Sequence, residues 1–162
     1  MTSSRPCPLY DGSRYEVGES VGHQLFLLTT LIRREVEARM AKHGLTDAQW
    51  KPLWLLRAGR ASTAIELARE MDIDAGAITR MLDRLEAKGL IERVRSDEDR
   101  RVVHLRVTKA GEATADQVPH VLAAVNNDFL RGFSESEWKQ LRKLLTRLAA
   151  NGAALQAEAT EA

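Results

Sequence analysis

Between Asp74 and Thr108 the hydrophobic pattern switches from a helical period to a two-residue period, and few small folds accept that switch in so short a span. Asp74 is a good N-cap, Ile78, Met81, Leu82 and Leu85 fall on one helical face, and Gly89 supplies a left-handed stop. Ile91–Arg95 and Val103–Val107 then alternate apolar with polar residues, joined by the charged loop Ser96–Arg101. Helix, glycine stop, strand, acid-then-arginine loop and second strand are the parts of a winged helix, in its order.

The residues before this stretch complete a helix-turn-helix. Leu45-Thr46-Asp47-Ala48-Gln49-Trp50 carries an N-cap at Thr46, a capping box closed by Gln49 and a staple pair in Leu45 and Trp50, opening a helix to about Arg57 with a bend expected at Pro52. Thr63 and Glu66 form a second capping box ahead of a short helix through Met71, with Ile65, Leu67 and Ala68 expected to face inward.

Long helical patterns flank this unit. From Ser20 to Lys42, Val21, Leu25, Leu28, Ile32, Val36 and Met40 make one apolar stripe, ended by His43-Gly44. Thr108 caps a helix predicted to run to about Arg131, with Val118, Val121, Leu122, Val125 and Phe129 inward and a kink at Pro119. A third capping box, Ser134 with Glu137, opens a last helix with Trp138, Leu141, Leu144, Leu145 and Leu148 on one side. The expected organisation is mainly α: a poorly ordered arm over residues 1–18, a dimerisation helix over 19–44, a winged helix-turn-helix with a two-stranded β-wing over 45–108, and C-terminal dimerisation helices over 109–162.

Composition excludes more than it selects. A chain of 162 residues can bury an ordinary core without disulfides, and its single cysteine, Cys7, cannot form an intrachain bridge, which fits a reducing compartment. The longest apolar run, Leu25–Ile32, is too short to span a bilayer, and no signal-peptide pattern opens the chain, so a soluble cytoplasmic protein without a membrane partner is expected. His23, His43, His104 and His120 are scattered, no phosphate loop is present, and no His, Cys, Asp and Glu set has zinc spacing, so neither catalysis, a metal nor a cofactor is expected. The net charge of +1 means that any DNA-binding surface must concentrate its basic residues on one face.

A recognition helix reads the major groove mainly with its N-terminal residues. Gly76 and Ala77 are small enough for close approach, and Thr79, Arg80 and Arg84 are donors able to reach bases or phosphates. In the loop, Arg101 is suited to a narrow electronegative minor groove with Asp99 orienting it, while Arg95 and Arg100 suit phosphates. With Thr63, these residues are the candidate contacts to double-stranded DNA.

Taken together, residues 45–111 resemble the MarR family of bacterial transcriptional regulators. The resemblance rests on Leu45–Trp50, Thr79–Ile91, Asp97-Glu98-Asp99-Arg100-Arg101 and Val107-Thr108-Lys109-Ala110-Gly111, in this order. It implies a homodimer with intertwined first and last two helices, carrying two winged helices onto a palindromic operator, with repression as the expected effect. The long apolar stripes independently favour a dimer, because a small winged helix could not cover them. The resemblance further implies release from DNA by a small aromatic or phenolic acid bound between the dimer helices and the winged helix, for which His23, Phe26, Trp50 and Trp54 are the candidate residues; residue by residue they read first as core aromatics and a surface or hydrogen-bonded histidine. Two other readings stay open: a redox-responsive regulator acting through Cys7, and a winged helix that binds protein instead of DNA.

Overall fold

A computed structural model of the chain describes residues 9–95, 98–99 and 102–161. Its helices are α1 (Val21–Ala41), α2 (Asp47–Arg57), α3 (Ala64–Met71), α4 (Ala75–Ala87), α5 (Lys109–Ala115), α6 (Gln117–Phe129) and α7 (Glu135–Glu161), with strands β1 (Ile91–Arg95) and β2 (Val103–Val107) between α4 and α5. The chain divides into two compact units with the boundary between Val125 and Asn126, inside α6.

In the first unit the core is aliphatic. Val36 and Met40 of α1, Leu53, Leu55 and Leu56 of α2, Leu67 of α3, Ile78, Leu82 and Leu85 of α4, and Val118, Val121 and Val125 of α6 are all buried. Burying such side chains is worth about 1.5–3 kcal/mol each. β1 and β2 pair antiparallel, Ile91 with Val107 and Arg95 with Val103, closing the two-stranded sheet at the predicted residues. The amide of Leu105 on β2 donates to the carbonyl of Ser62 at 2.8 Å, so the wing is also tied to the turn that precedes α3.

Local start and stop signals act as the sequence predicts. Thr46 precedes α2, and its amide donates to Gln49 Oε1 at 3.2 Å. Asp74 Oδ1 accepts from the Ala77 amide at 2.9 Å, and α4 ends just before Gly89, whose φ is +67°. α3 ends instead on Asp72 in the left-handed region, φ 53°, which a short polar side chain tolerates better than most.

Three expectations need correction. The helix after Thr108 is two helices, broken at Asp116. Pro119 has no N–H to offer the Ala115 carbonyl and its ring crowds that group. The break therefore falls before the proline, which sits in the first turn of α6 where a missing donor costs little. Ile65 is 81% exposed, not inward; it lies two residues, roughly 200° of helix, from the fully buried Leu67. Residues 9–18, expected to be poorly ordered, hold a 3-10 turn at Gly12–Arg14 and lead into another at Val17–Glu19. The Tyr10 hydroxyl accepts from the Val21 amide at 2.9 Å, and Ser20 Oγ accepts from His23 at 3.1 Å, so this segment helps to cap α1. The rings of Tyr10 and Tyr15 also pack with centroids 5.8 Å apart.

The second unit holds the end of α6 and all of α7. Ser134 and Glu137 close the predicted capping box: the Ser134 amide donates to Glu137 Oε2 at 2.8 Å, and the Glu137 amide to Ser134 Oγ at 3.3 Å. The Ser134 hydroxyl, which donates to Glu137 Oε2 at 2.6 Å, and after it the Ser134 amide hold the Glu137 carboxyl below its ordinary range. Leu144, Leu145, Leu148 and Leu155 of α7 are exposed, as are Val21, Phe26, Leu27, Leu28 and Leu31 on the first half of α1.

Candidate nucleic-acid interface

α4 is split lengthwise. Ile78, Leu82 and Leu85 are buried to 1% exposure or less, which fixes the helix against the core and turns Gly76, Thr79, Arg80, Asp83 and Arg84 to solvent. Among the described residues neither Arg80 nor Arg84 has an ion-pair partner, so both guanidinium groups remain available to an anionic ligand. The Thr79 hydroxyl donates to the Ala75 carbonyl at 2.9 Å. What it presents outward is an acceptor oxygen and a methyl group. A methyl group at Gly76 would lie 3.1 Å from Asp74 Oδ1, so the small residue serves the N-cap. Ala77 is half-buried beside it.

Thr63 is engaged locally. Its Oγ1 accepts from the Glu66 amide at 3.3 Å, and its own amide donates to Glu66 Oε2 at 3.2 Å. The Ser62 amide donates to the same carboxylate oxygen at 2.6 Å. The Ser62 amide and hydroxyl are the main causes holding the Glu66 carboxyl below its ordinary range, and the Thr63 bonds add to them.

The wing is braced by an ion-pair cluster that sequence reasoning missed. Arg93 shares a strand face with Leu105 and Ile91, and from there its Nη2 donates to Asp83 Oδ1 at 2.7 Å and its Nη1 to Glu86 Oε2. Burial alone works against the Arg93 charge, but the hydrogen bond to Asp83 and the charge of Glu86 more than offset it, raising the guanidinium pKa further. Arg93 therefore ties β1 to α4 and neutralises the acid on the outer face of that helix. The only trace in the sequence was period: Arg93 falls on the inward alternation of a strand whose neighbouring helix carries acids at Asp83 and Glu86.

At the wing tip, Arg95 and Asp99 are exposed, and the Asp99 carbonyl accepts from the Val102 amide at 2.9 Å. Arg100, Arg101 and Cys7 lie outside the described residues.

Of the four candidate effector residues, Trp50 lines a cleft against α2. Phe26 is 66% exposed, and His23 and Phe26 precede Glu37 on α1 by at least 11 residues, roughly 16 Å of helix. Trp50, whose Nε1 donates to Asp47 Oδ1 at 3.2 Å, lines a cleft of about 510 Å³ that meets α1 at Glu37 and includes Lys51, Met71, Met81 and Arg84 but not His23, Phe26 or Trp54. An arginine of α4 and an aromatic ring thus share one depression. Among the described residues no His, Cys, Asp and Glu group has metal-holding geometry, and no helix is long and apolar enough to cross a membrane.

Comparison with known proteins gives a consistent set of likenesses. A profile of the MarR family matches residues 45–103. Multiple antibiotic resistance protein MarR of Escherichia coli (strain K12) is 32% identical over 105 residues, covering 64% of this chain and 73% of that protein. HTH-type transcriptional repressor MdtR of Bacillus subtilis (strain 168) is 33% identical over 118 residues, 73% of this chain and 76% of that one. A crystal structure of a mutant MarR from E. coli complexed with operator DNA superposes with a TM-score of 0.70 at 28% identity, covering 79% of this chain and 92% of that chain.

Proposed function

The chain belongs to the MarR family of transcriptional regulators, and from that premise we propose that it binds a palindromic operator as a homodimer and represses transcription until a small ligand releases it. The observation that carries the DNA-binding reading is the division of α4: a fully buried aliphatic face holds Gly76, Arg80 and Arg84 outward on a fixed helix. In this reading α4 lies in the major groove with Arg80 at the bases, and Arg84 and Arg95 serve phosphates. Arg101, oriented by Asp99, enters the minor groove, with Arg100 on the adjacent backbone. Thr63 adds a backbone contact from the start of α3.

Dimerisation is supported by the exposed apolar stripes on α1 and α7, which in water are an association surface. A second copy covers them, making residues 19–44 and 109–162 the dimerisation segments and 45–108 the reading unit. Two-fold pairing places the two α4 helices on successive major-groove segments about 34 Å apart. The ligand reading draws support from the cleft at Trp50, where Met71, Ile73 and Met81 supply apolar surface and where Lys51 and Arg84, beside Glu37 and Asp47, supply cationic groups for a small aromatic carboxylate. A ligand there competes with DNA for Arg84, and release follows if it favours a dimer spacing that no longer matches the grooves, a coupling on the order of 1–3 kcal/mol.

The test is binding of the purified chain to a duplex from upstream of its own gene, followed by fluorescence anisotropy against a scrambled duplex over a salt series. Specific binding that weakens steeply with salt supports the reading. Equal affinity for both duplexes, or none for either, contradicts it.

A further inference from the structure

Lys88, the C-cap of α4, reaches away from its own helix. A lysine at this place already suits the negative end of the α4 dipole, which would be reason enough for a side chain lying in solvent. Its Nζ instead donates to the Gly44 carbonyl, 44 residues earlier in the chain, and to Gln49 Oε1, each at 2.7 Å. Gln49 is 3% exposed, and the same Oε1 accepts from the Thr46 amide at 3.2 Å. One ammonium thus joins the end of α4 to the corner where α1 gives way to α2. Both acceptors are neutral oxygens, so the charge that strengthens these bonds is the lysine's own.

At the corner Gly44 has a φ of +71° and nothing within 4 Å of the position a methyl would take, so side-chain packing does not fix the turn at that residue. α1 packs on α2, and α4 packs on α2, α3 and β1. Where α1 and α4 come near one another they face across the cleft at Trp50, with Glu37 on one side and Met81 and Arg84 on the other. Space separates the two helices there. One turn beyond Arg84 on the same stripe of α4, Lys88 links α4 directly to the end of α1.

We propose that Lys88 is a positioning residue for operator reading: it fixes the direction of α4 against the end of α1, and thereby the half-site spacing that the dimer accepts. The assignment rests on the operator reading, in which α1 belongs to the dimer contact and α4 enters the major groove. In a two-fold dimer the separation of the two α4 helices runs through this corner once in each subunit, so any rotation there is counted twice. A base pair inserted between half-sites moves one of them by about 3.4 Å and turns it by about 35°, a change that a fixed corner rejects and a loosened one absorbs in part. Lys88 acts through Arg80 and Arg84 and meets no base itself.

The experiment measures anisotropy of the full chain on the duplex from upstream of its own gene, and on the same duplex with one base pair added or removed between the half-sites. Three proteins are compared at one salt concentration: wild type, Lys88→Met, which keeps the stem and loses the donors, and the control Arg60→Met, which loses a bond to Glu70 at 3.0 Å inside the reading unit. In Lys88→Met the buried Gln49 Oε1 keeps the Thr46 amide, so that acceptor is not stranded. Wild type and control should lose roughly tenfold or more in affinity on altered spacing, whereas Lys88→Met should bind the native duplex several-fold more weakly and lose about threefold or less on altered spacing. Loss by equal factors on every duplex would make Lys88 a residue of stability alone and overturn the proposal, as would wild-type affinities in the variant. Should Lys88→Met fail to fold, Lys88→Gln, polar but too short to reach both acceptors, is read by the same two outcomes. Equal binding of wild type to native and scrambled duplexes refutes the operator reading and takes the proposal with it; a wild type that discriminates, with a spacing penalty that survives the loss of Lys88, refutes the proposal alone.

Discussion

Replacing Gly111 by alanine puts the base of the wing to a quantitative test. A methyl at this buried position of α5 would sit 1.9 Å from the Leu90 carbonyl oxygen, 2.8 Å from Val107 Cγ1 and 2.9 Å from the Leu90 carbonyl carbon. The oxygen cannot simply withdraw, because it accepts from the Thr108 amide at 3.1 Å. Overpacking of this kind costs about 1–3 kcal/mol, and loss of the Thr108 bond adds about 1 kcal/mol. Alanine in place of glycine inside a helix returns up to ~1 kcal/mol. The net expectation is destabilisation of about 1–3 kcal/mol, a fall in Tm of roughly 2–12 °C for a chain of this size. Gly152 in α7 is the matched control, since nothing lies within 4 Å of a methyl placed there, and Gly152→Ala should stabilise by up to about 1 kcal/mol. Urea denaturation at unchanged m-value measures both. Shifts of the same sign and similar size would refute the steric reasoning, because both substitutions would then be acting through backbone entropy alone.

Arg80→Ala should cost about 1–3 kcal/mol of discrimination between operator and scrambled duplex if the guanidinium meets a base edge; equal losses on both duplexes in anisotropy titrations would make it a phosphate contact. Arg93→Met should lower stability by about 1–2 kcal/mol, as two partly exposed ion pairs are lost, and should weaken operator binding beyond that through the unneutralised Asp83; an operator Kd within twofold of wild type would remove the brace from the mechanism. Arg101→Ala should weaken operator binding while leaving the dimer intact by sedimentation, and an unchanged Kd at fixed salt would take the wing tip out of the account. Deleting residues 134–162 should abolish dimerisation, which a dimeric truncated chain would contradict. Because the Glu66 carboxyl is held below its ordinary range, its contribution to stability is present above the unfolded-state pKa and lost as pH falls through the depressed one; a Glu66→Gln chain that differs from wild type at neutral pH should converge with it in acid, and a difference that persists there would rule out the charged cap.

The parts of the molecule that follow from local chemistry were legible in the sequence. Both strands, the Asp74 cap, the Gly89 stop and the buried face of α4 depend on period and on backbone preferences carried by single residues. The break at Asp116 was announced by Pro119 but displaced by three residues, since a proline disturbs the carbonyl four positions before it rather than its own site. Ile65 was misplaced because on so short a helix hydrophobicity and facing are easily confused, and Leu67 alone fills the space beneath α3. Arg93 escaped notice because its partners lie on another element, seven and ten residues away. Tyr10 escaped for the same reason, since its value lies in a backbone amide of α1.

The central claim is that two copies of α4 read successive turns of one duplex. Hydroxyl-radical and methylation footprinting of the bound operator tests it most directly. Two symmetric major-groove protections with centres about 10 base pairs apart are expected, each flanked by minor-groove protection that disappears in Arg101→Ala. A single unsymmetrical protected stretch, or protection of the backbone alone with open major grooves, would contradict it.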